Sequence, residues 1–162
     1  MNTTAGHSIG FVRDVKAAVV RNGIQNTFSA RLRRSKTQAR KIVIASPWIS
    51  YSDSKRGPLL NIVATIDAYK IPTYVFTRQP QNMAHAQAMN VLMSCPCVEI
   101  VYNNNLHAKL YICIAPYPCG FAIIGSANLT LGSEDLYEIG LLILAQGGGD
   151  EIVRQLASFG LD

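Results

Sequence analysis

Leu106-His-Ala-Lys-Leu-Tyr-Ile-Cys-Ile-Ala-Pro-Tyr-Pro-Cys-Gly-Phe-Ala-Ile-Ile-Gly-Ser-Ala-Asn128 is the stretch that decides the fold. Two apolar runs, 107–115 and 120–127, flank Pro116-Tyr117-Pro118-Cys119, a composition suited to a tight connection between antiparallel strands. Side chains at i and i+2 of a strand share a face, so His107 and Lys109 project together while Leu110, Ile112 and Ile114 turn toward apolar packing. A hairpin symmetric about Tyr117 and Pro118 sets His107 opposite Asn128 and Lys109 opposite Ser126. One patch then holds an imidazole, an ammonium, a hydroxyl and an amide. Glu138 lies at the start of the next strand, 137–144, from which a carboxylate reaches the imidazole and fixes its tautomer.

Upstream, Ile24, Phe28, Leu32 and Ala39 recur near the 3.6-residue period and predict a helix over 24–39. Residues 41–48 read as a buried strand ended by Pro47, 58–69 as a helix with Pro58 in its first turn, and 71–77 as a strand. A helix over 81–92, a strand over 98–102 and a turn at 103–105 follow. After the hairpin and the strand 137–144, a helix over 150–159 is expected to open on an Asp150 cap behind three glycines. Alternating strands and helices predict an α/β fold, and the hairpin makes its central β-sheet mixed, with helices on both faces.

A length of 162 residues sets one domain, 1–162. With 49% apolar and 15% charged residues, and a mean hydropathy of +0.16, the chain buries enough surface to fold. The apolar run 139–145, interrupted by Gly140, falls far short of the roughly 20 residues that span a bilayer. No membrane insertion is expected. The start Met1-Asn-Thr-Thr-Ala-Gly-His7 has neither the basic opening nor the apolar core of a secretory signal, so the cytoplasm is the expected compartment. Four cysteines are too few for a disulfide scaffold, and Cys95-Pro96-Cys97 lacks a second pair at zinc spacing. Neither metal nor cofactor is expected.

The net charge is +5, and it is segregated. Residues 1–41 carry nine basic side chains against Asp14 alone, while the remainder carries six basic and nine acidic ones. Arg31, Arg33, Arg34, Lys36 and Arg40 form the densest part, with no acid among them. Such a segment is the electrostatic footprint of contact with nucleic acid, because neutralised phosphates release condensed counterions.

Leu106-His-Ala-Lys-Leu-Tyr111, Gly125-Ser-Ala-Asn-Leu-Thr130 and Tyr137-Glu138 together resemble the phospholipase D superfamily and its histidine-lysine signature. The likeness covers the C-terminal third closely, and the strand-helix order before it, including Ala45-Ser-Pro-Trp48, fits the rest of that family's domain. An aspartate often stands five residues after the lysine in that signature; Ile114 stands there in this chain. In this the sequence is similar to the subgroup of small single-motif nucleases and restriction-type endonucleases, whose active-site set is His, Lys, Asn and Glu.

The resemblance implies a phosphodiesterase that cleaves DNA or RNA without a metal, through a phosphohistidine on His107. Lys109, Ser126 and Asn128 would bind the phosphoryl group and Glu138 would orient His107. Two histidines are needed and the chain holds one motif copy, with His7 and His85 in unlike surroundings, so a homodimer sharing one centre is implied. His85 is expected on a helix surface and Trp48 in the core, with Ser46 and Tyr111 near the cleft. The rival functions are a phospholipid phosphodiesterase of the same superfamily, which would want an exposed apolar surface that the sequence does not reveal, and a non-catalytic nucleic-acid-binding dimer within a defence or restriction assembly.

Overall fold

Lys41-Ile-Val-Ile-Ala45 is β-branched on both faces and buried from Ile42 onward, the composition of a strand covered on both sides. It is the middle of the protein. The computed structural model describes residues 13–51, 57–130 and 137–158. In chain order these form β1 (Ala17–Arg21), α1 (Ile24–Ser35), β2 (Lys41–Ala45), α2 (Pro58–Tyr69), β3 (Thr73–Thr77), α3 (Met83–Met93), β4 (Val98–Tyr102), β5 (Leu110–Ile114), β6 (Phe121–Gly125), β7 (Ile139–Leu144) and α4 (Gly148–Ala157). The seven strands make one sheet in the order β1-β7-β6-β5-β2-β3-β4. Strands β2, β3 and β4 are parallel, while β5, β6, β7 and β1 add antiparallel on the other side. The sheet is mixed, as the hairpin requires.

Alternation along β2 divides the core. Ile42 and Ile44 join Ile24, Phe28 and Leu32 of α1, Ile62 and Ile66 of α2 and Met89 and Leu92 of α3. Val43 and Ala45 face the other way, into a cluster with Ile112, Ala122, Ile143 and the α4 residues Val153 and Ala157. Helices therefore cover both faces.

Several expected boundaries move. Helix α1 ends at Ser35, whose carbonyl accepts the N–H groups of Gln38 and Ala39 in the turn beyond it at 2.9 and 2.8 Å. Asn82, outside α3, accepts the His85 N–H at 2.9 Å and caps that helix. Gly147, with φ +56°, precedes α4, so Asp150 does not cap the helix; it sits in the first turn, where a negative charge meets the positive end of the dipole. Strand β1 had no sequence signal. It is an edge strand with four of five residues exposed and no alternation of polar and apolar positions.

The hairpin register also differs from the symmetric one. Leu110 pairs with Ile124 and Cys113 with Phe121, and the Gly125 N–H donates to the Lys109 carbonyl at 3.2 Å. Lys109 thus lies level with Gly125, not Ser126. The cause is an extra residue on the outgoing side: Ile114 and Ala115 separate Cys113 from the turn, where Gly120 alone separates the turn from Phe121.

Gly125 and Gly140 face each other across β6 and β7 and together seat Ile24. A Cβ on Gly140 would lie 2.9 Å from Ile24 Cδ1 and 3.1 Å from the Ile124 carbonyl oxygen. This close approach fixes the start of α1 against one end of the sheet. Gly140→Val should therefore overpack the joint and destabilise the fold by about 1–3 kcal/mol, seen as a lowered thermal midpoint.

Candidate functional site

One end of the sheet gathers the polar residues. Strand β2 exits there at Ala45, which pairs with Leu110 at the start of β5, and Arg21 at the end of β1 pairs with Ile139 at the start of β7. The chain ends around it bring Asn22, Gln25, Ser46, Trp48, Arg78, His107, Lys109, Ser126, Asn128 and Glu138 to the same rim. Residues 106–109 precede β5 and lie outside regular pairing. Residues 126–130 leave β6 and cross the ends of the neighbouring strands, held by buried hydroxyls. Tyr111 Oη donates to the Ala127 carbonyl at 2.8 Å, and Ser46 Oγ accepts from the Leu129 N–H at 2.9 Å while donating to the Trp48 carbonyl at 2.7 Å. Both hydroxyls shape the site's frame.

His107 is exposed, and its ring meets Arg78: Nη2 lies 3.3 Å from Nδ1 and 3.2 Å from Nε2. Lys109 is half-buried and its Nζ donates to the His107 carbonyl at 3.1 Å. Its charge is near enough to draw down the Glu138 carboxyl, but burial dominates and holds that carboxyl above its ordinary range. No described hydrogen bond joins Glu138 to His107. Asn22 fixes the Glu138 backbone from both sides, its N–H to the Glu138 carbonyl at 2.9 Å and its Oδ1 from the Glu138 N–H at 3.1 Å. Asn128 is anchored through its carbonyl, which accepts from Gln25 Nε2. The Asn128 Oδ1 and Glu138 Oε2 atoms are buried without a hydrogen-bond partner. Unpaired buried acceptors are rare.

Ser126 is committed elsewhere. Its Oγ accepts from the Ile139 N–H at 3.2 Å and closes the junction of β6 with β7. The cations Arg31, Arg33, Arg34, Lys36 and Arg40 are also apart from the rim. They run along the second half of α1, whose 12 residues span about 18 Å, to Arg40, which donates its N–H to Ile114 at the far end of β5. Arg31 lies over the Phe121 ring and Lys36 over Tyr69, while Arg33 and Arg34 are exposed. A cavity of about 570 Å³ opens at that far end, between Arg40, Tyr117, Gln146 and Arg154.

His85 is buried, contrary to the surface position expected of it. It is 1% exposed, with Nε2 3.2 Å from Thr77 Oγ1 and its ring edge against Trp48. Burial lowers its affinity for a proton. His7 lies outside the described residues. Arg78 is the site residue that sequence reading missed; the available signal was a cation immediately after the carboxyl end of a parallel strand, where α/β sheets hold ligands. The structure also has an apolar surface the sequence did not reveal. Val19, Ile139 and Leu141 are 60, 61 and 41% exposed and share one face of β1 and β7, beside the rim. All four cysteines are free thiols, and no group of three potential metal ligands occurs among the described residues. No described helix is long and apolar enough to cross a membrane.

The architecture matches solved structures. Nuc from Salmonella typhimurium, a phospholipase D family member, superposes with a TM-score of 0.64 over 90% of this chain and 91% of its own, at 13% identity. The chain has the phospholipase D fold. NucT from Helicobacter pylori gives 0.61 over 90% and 93%, at 16% identity, and polyphosphate kinase from Porphyromonas gingivalis gives 0.64 over 88% of this chain and 25% of its own, at 14%. No family model matches the chain, and no curated protein matches it in sequence. A phospholipase D fold that also serves a kinase leaves the chemistry to the side chains at the rim.

Glu138 makes a testable stability statement. A carboxyl held above its ordinary 4.5 by burial favours the folded state below that pH and opposes it as pH rises and the group must ionise. Glu138→Gln should therefore match wild type in stability near pH 4 and exceed it at pH 7 and above. Thermal midpoints across that range check the sign.

Proposed function

We propose that the protein is a phosphodiesterase of the phospholipase D superfamily that cleaves DNA or RNA through a phosphohistidine on His107. The observation that carries this is the gathering of His107, Lys109, Asn128 and Glu138 at one sheet end, with buried acceptors on the last two left unpaired. Structural neighbours of the phospholipase D family support the fold side of it. The positive segment 13–41 supports a polyanionic substrate, held partly at a distance from the reacting bond.

In the first step His107 attacks phosphorus, the new P–N bond forms, and the P–O bond to the leaving group breaks as a second imidazole donates its proton to that oxygen. In the second step water attacks the phosphohistidine and gives its proton to that imidazole. The P–N bond breaks, and His107 is restored. Lys109 and the Asn128 amide would neutralise charge on the non-bridging oxygens. His85, buried behind Trp48, is badly placed for the second role. A twofold homodimer supplies it with His107 of the partner subunit, and the apolar face of Val19, Ile139 and Leu141 beside the rim is a surface such a partner would cover.

Cleavage of plasmid and single-stranded substrates in EDTA tests the proposal. Wild type should turn over and His107→Ala should lose at least about a thousandfold in rate, as removal of a nucleophile does. Equal rates, or dependence on an added divalent ion, would contradict the mechanism. Hydrolysis of phospholipid alone would shift the substrate class, and tight nucleic-acid binding without product would leave a binding module.

A further inference from the structure

We infer that Arg78 is a phosphate-binding residue of this site, its guanidinium placed beside His107 to meet the substrate's non-bridging oxygens. The inference rests on the phosphodiester reading but assigns a residue outside the histidine-lysine set. Arg78 follows the last residue of β3, and its placement is built rather than incidental. Its Nε donates to the Leu106 carbonyl at 2.9 Å, tying it to the segment that carries His107. Its Cζ lies 5.5 Å from the centre of the Trp48 ring, and that ring's other neighbour is buried His85, held by Thr77 and by the Asn82 cap. The guanidinium thus lies beside an aromatic ring that itself packs on a buried residue.

Charge makes the same point. The described salt bridges are Lys70–Asp67 and Arg154–Asp150, so Arg78 has no carboxylate partner among the described residues. Its described partners are a carbonyl, an indole and an imidazole. A half-buried guanidinium with no carboxylate partner among the described residues, beside an exposed imidazole, suits an anion. Lys109 does not duplicate it, because an ammonium offers no planar fork. The contact with His107 also has chemical sense. A guanidinium has only donors, and Nη2 lies within 3.3 Å of both ring nitrogens, so a phosphoryl group approaching His107 meets those donors.

Trp48 is the only tryptophan in the chain, so its fluorescence reports whether Arg78 stays on its ring. Titration of wild type with inorganic phosphate should change that fluorescence saturably. Arg78→Ala should weaken phosphate binding, measured by calorimetry, by about ten- to a hundredfold, the range for loss of charged hydrogen bonds. Arg78→Lys should fall between, since it keeps the charge and loses the fork. Near-ultraviolet dichroism and thermal midpoints close to wild type for the lysine variant establish that the fold is retained. Phosphate affinity equal to wild type in both variants, or no phosphate binding by wild type, overturns the inference. If wild type cleaves no nucleic acid yet binds phosphate through Arg78, the nuclease reading fails and the assignment of Arg78 stands.

Discussion

Two buried hydroxyls hold the segment after β6 across the ends of its neighbours, and the rim depends on them. With Lys109 level with Gly125, strict alternation would send Ser126 and Asn128 to the face away from His107 and Lys109. The chain escapes that rule by leaving the sheet at Ser126. Tyr111 then fixes Ala127 and Ser46 fixes Leu129, so Asn128 is pinned between two satisfied backbone groups. Because Ser46 is fully buried and serves as donor and acceptor at once, it joins the exit of β2 to this crossing as well.

The same end of the sheet carries its least comfortable groups. Burial works against ionised Glu138, and both Glu138 Oε2 and Asn128 Oδ1 lack donors. Each lowers stability relative to a paired group. Far-end cations follow the opposite logic. Arg33 and Arg34 sit in the last turn of α1, where positive charge offsets the helix dipole, and Arg31 covers the Phe121 ring, so this cluster serves the fold besides any polyanion.

Much of the architecture was legible because its signals are local. Pro58 marks the start of α2, the apolar run after Lys41 marks β2, and the 98–102 strand has the observed bounds. Edge strand β1 was not legible, since an exposed five-residue strand shows no pattern. The register was hidden by an extra residue at 114–115, which is set by contacts with Gly120 and β2. His85 was misread because the Ala- and Met-rich helix α3 has no sharp polar face; counted as an apolar position, it completes the buried stripe His85, Ala88, Met89, Leu92 at helical spacing. The residues His107, Lys109, Asn128 and Glu138 were legible as a motif, whereas Arg78 reaches His107 only through tertiary placement of β3 beside β2.

The proposed chemistry needs two imidazoles where the described residues supply one at the rim, so its central claim concerns a second copy. Mixing wild type with increasing His107→Ala protein, after exchange of subunits, measures this directly. A centre shared across the axis predicts activity that falls with the square of the wild-type fraction, to about a quarter at equal proportions, because only dimers of two intact chains turn over. Activity that falls in simple proportion to wild type would mean that each chain acts alone, and would contradict the account.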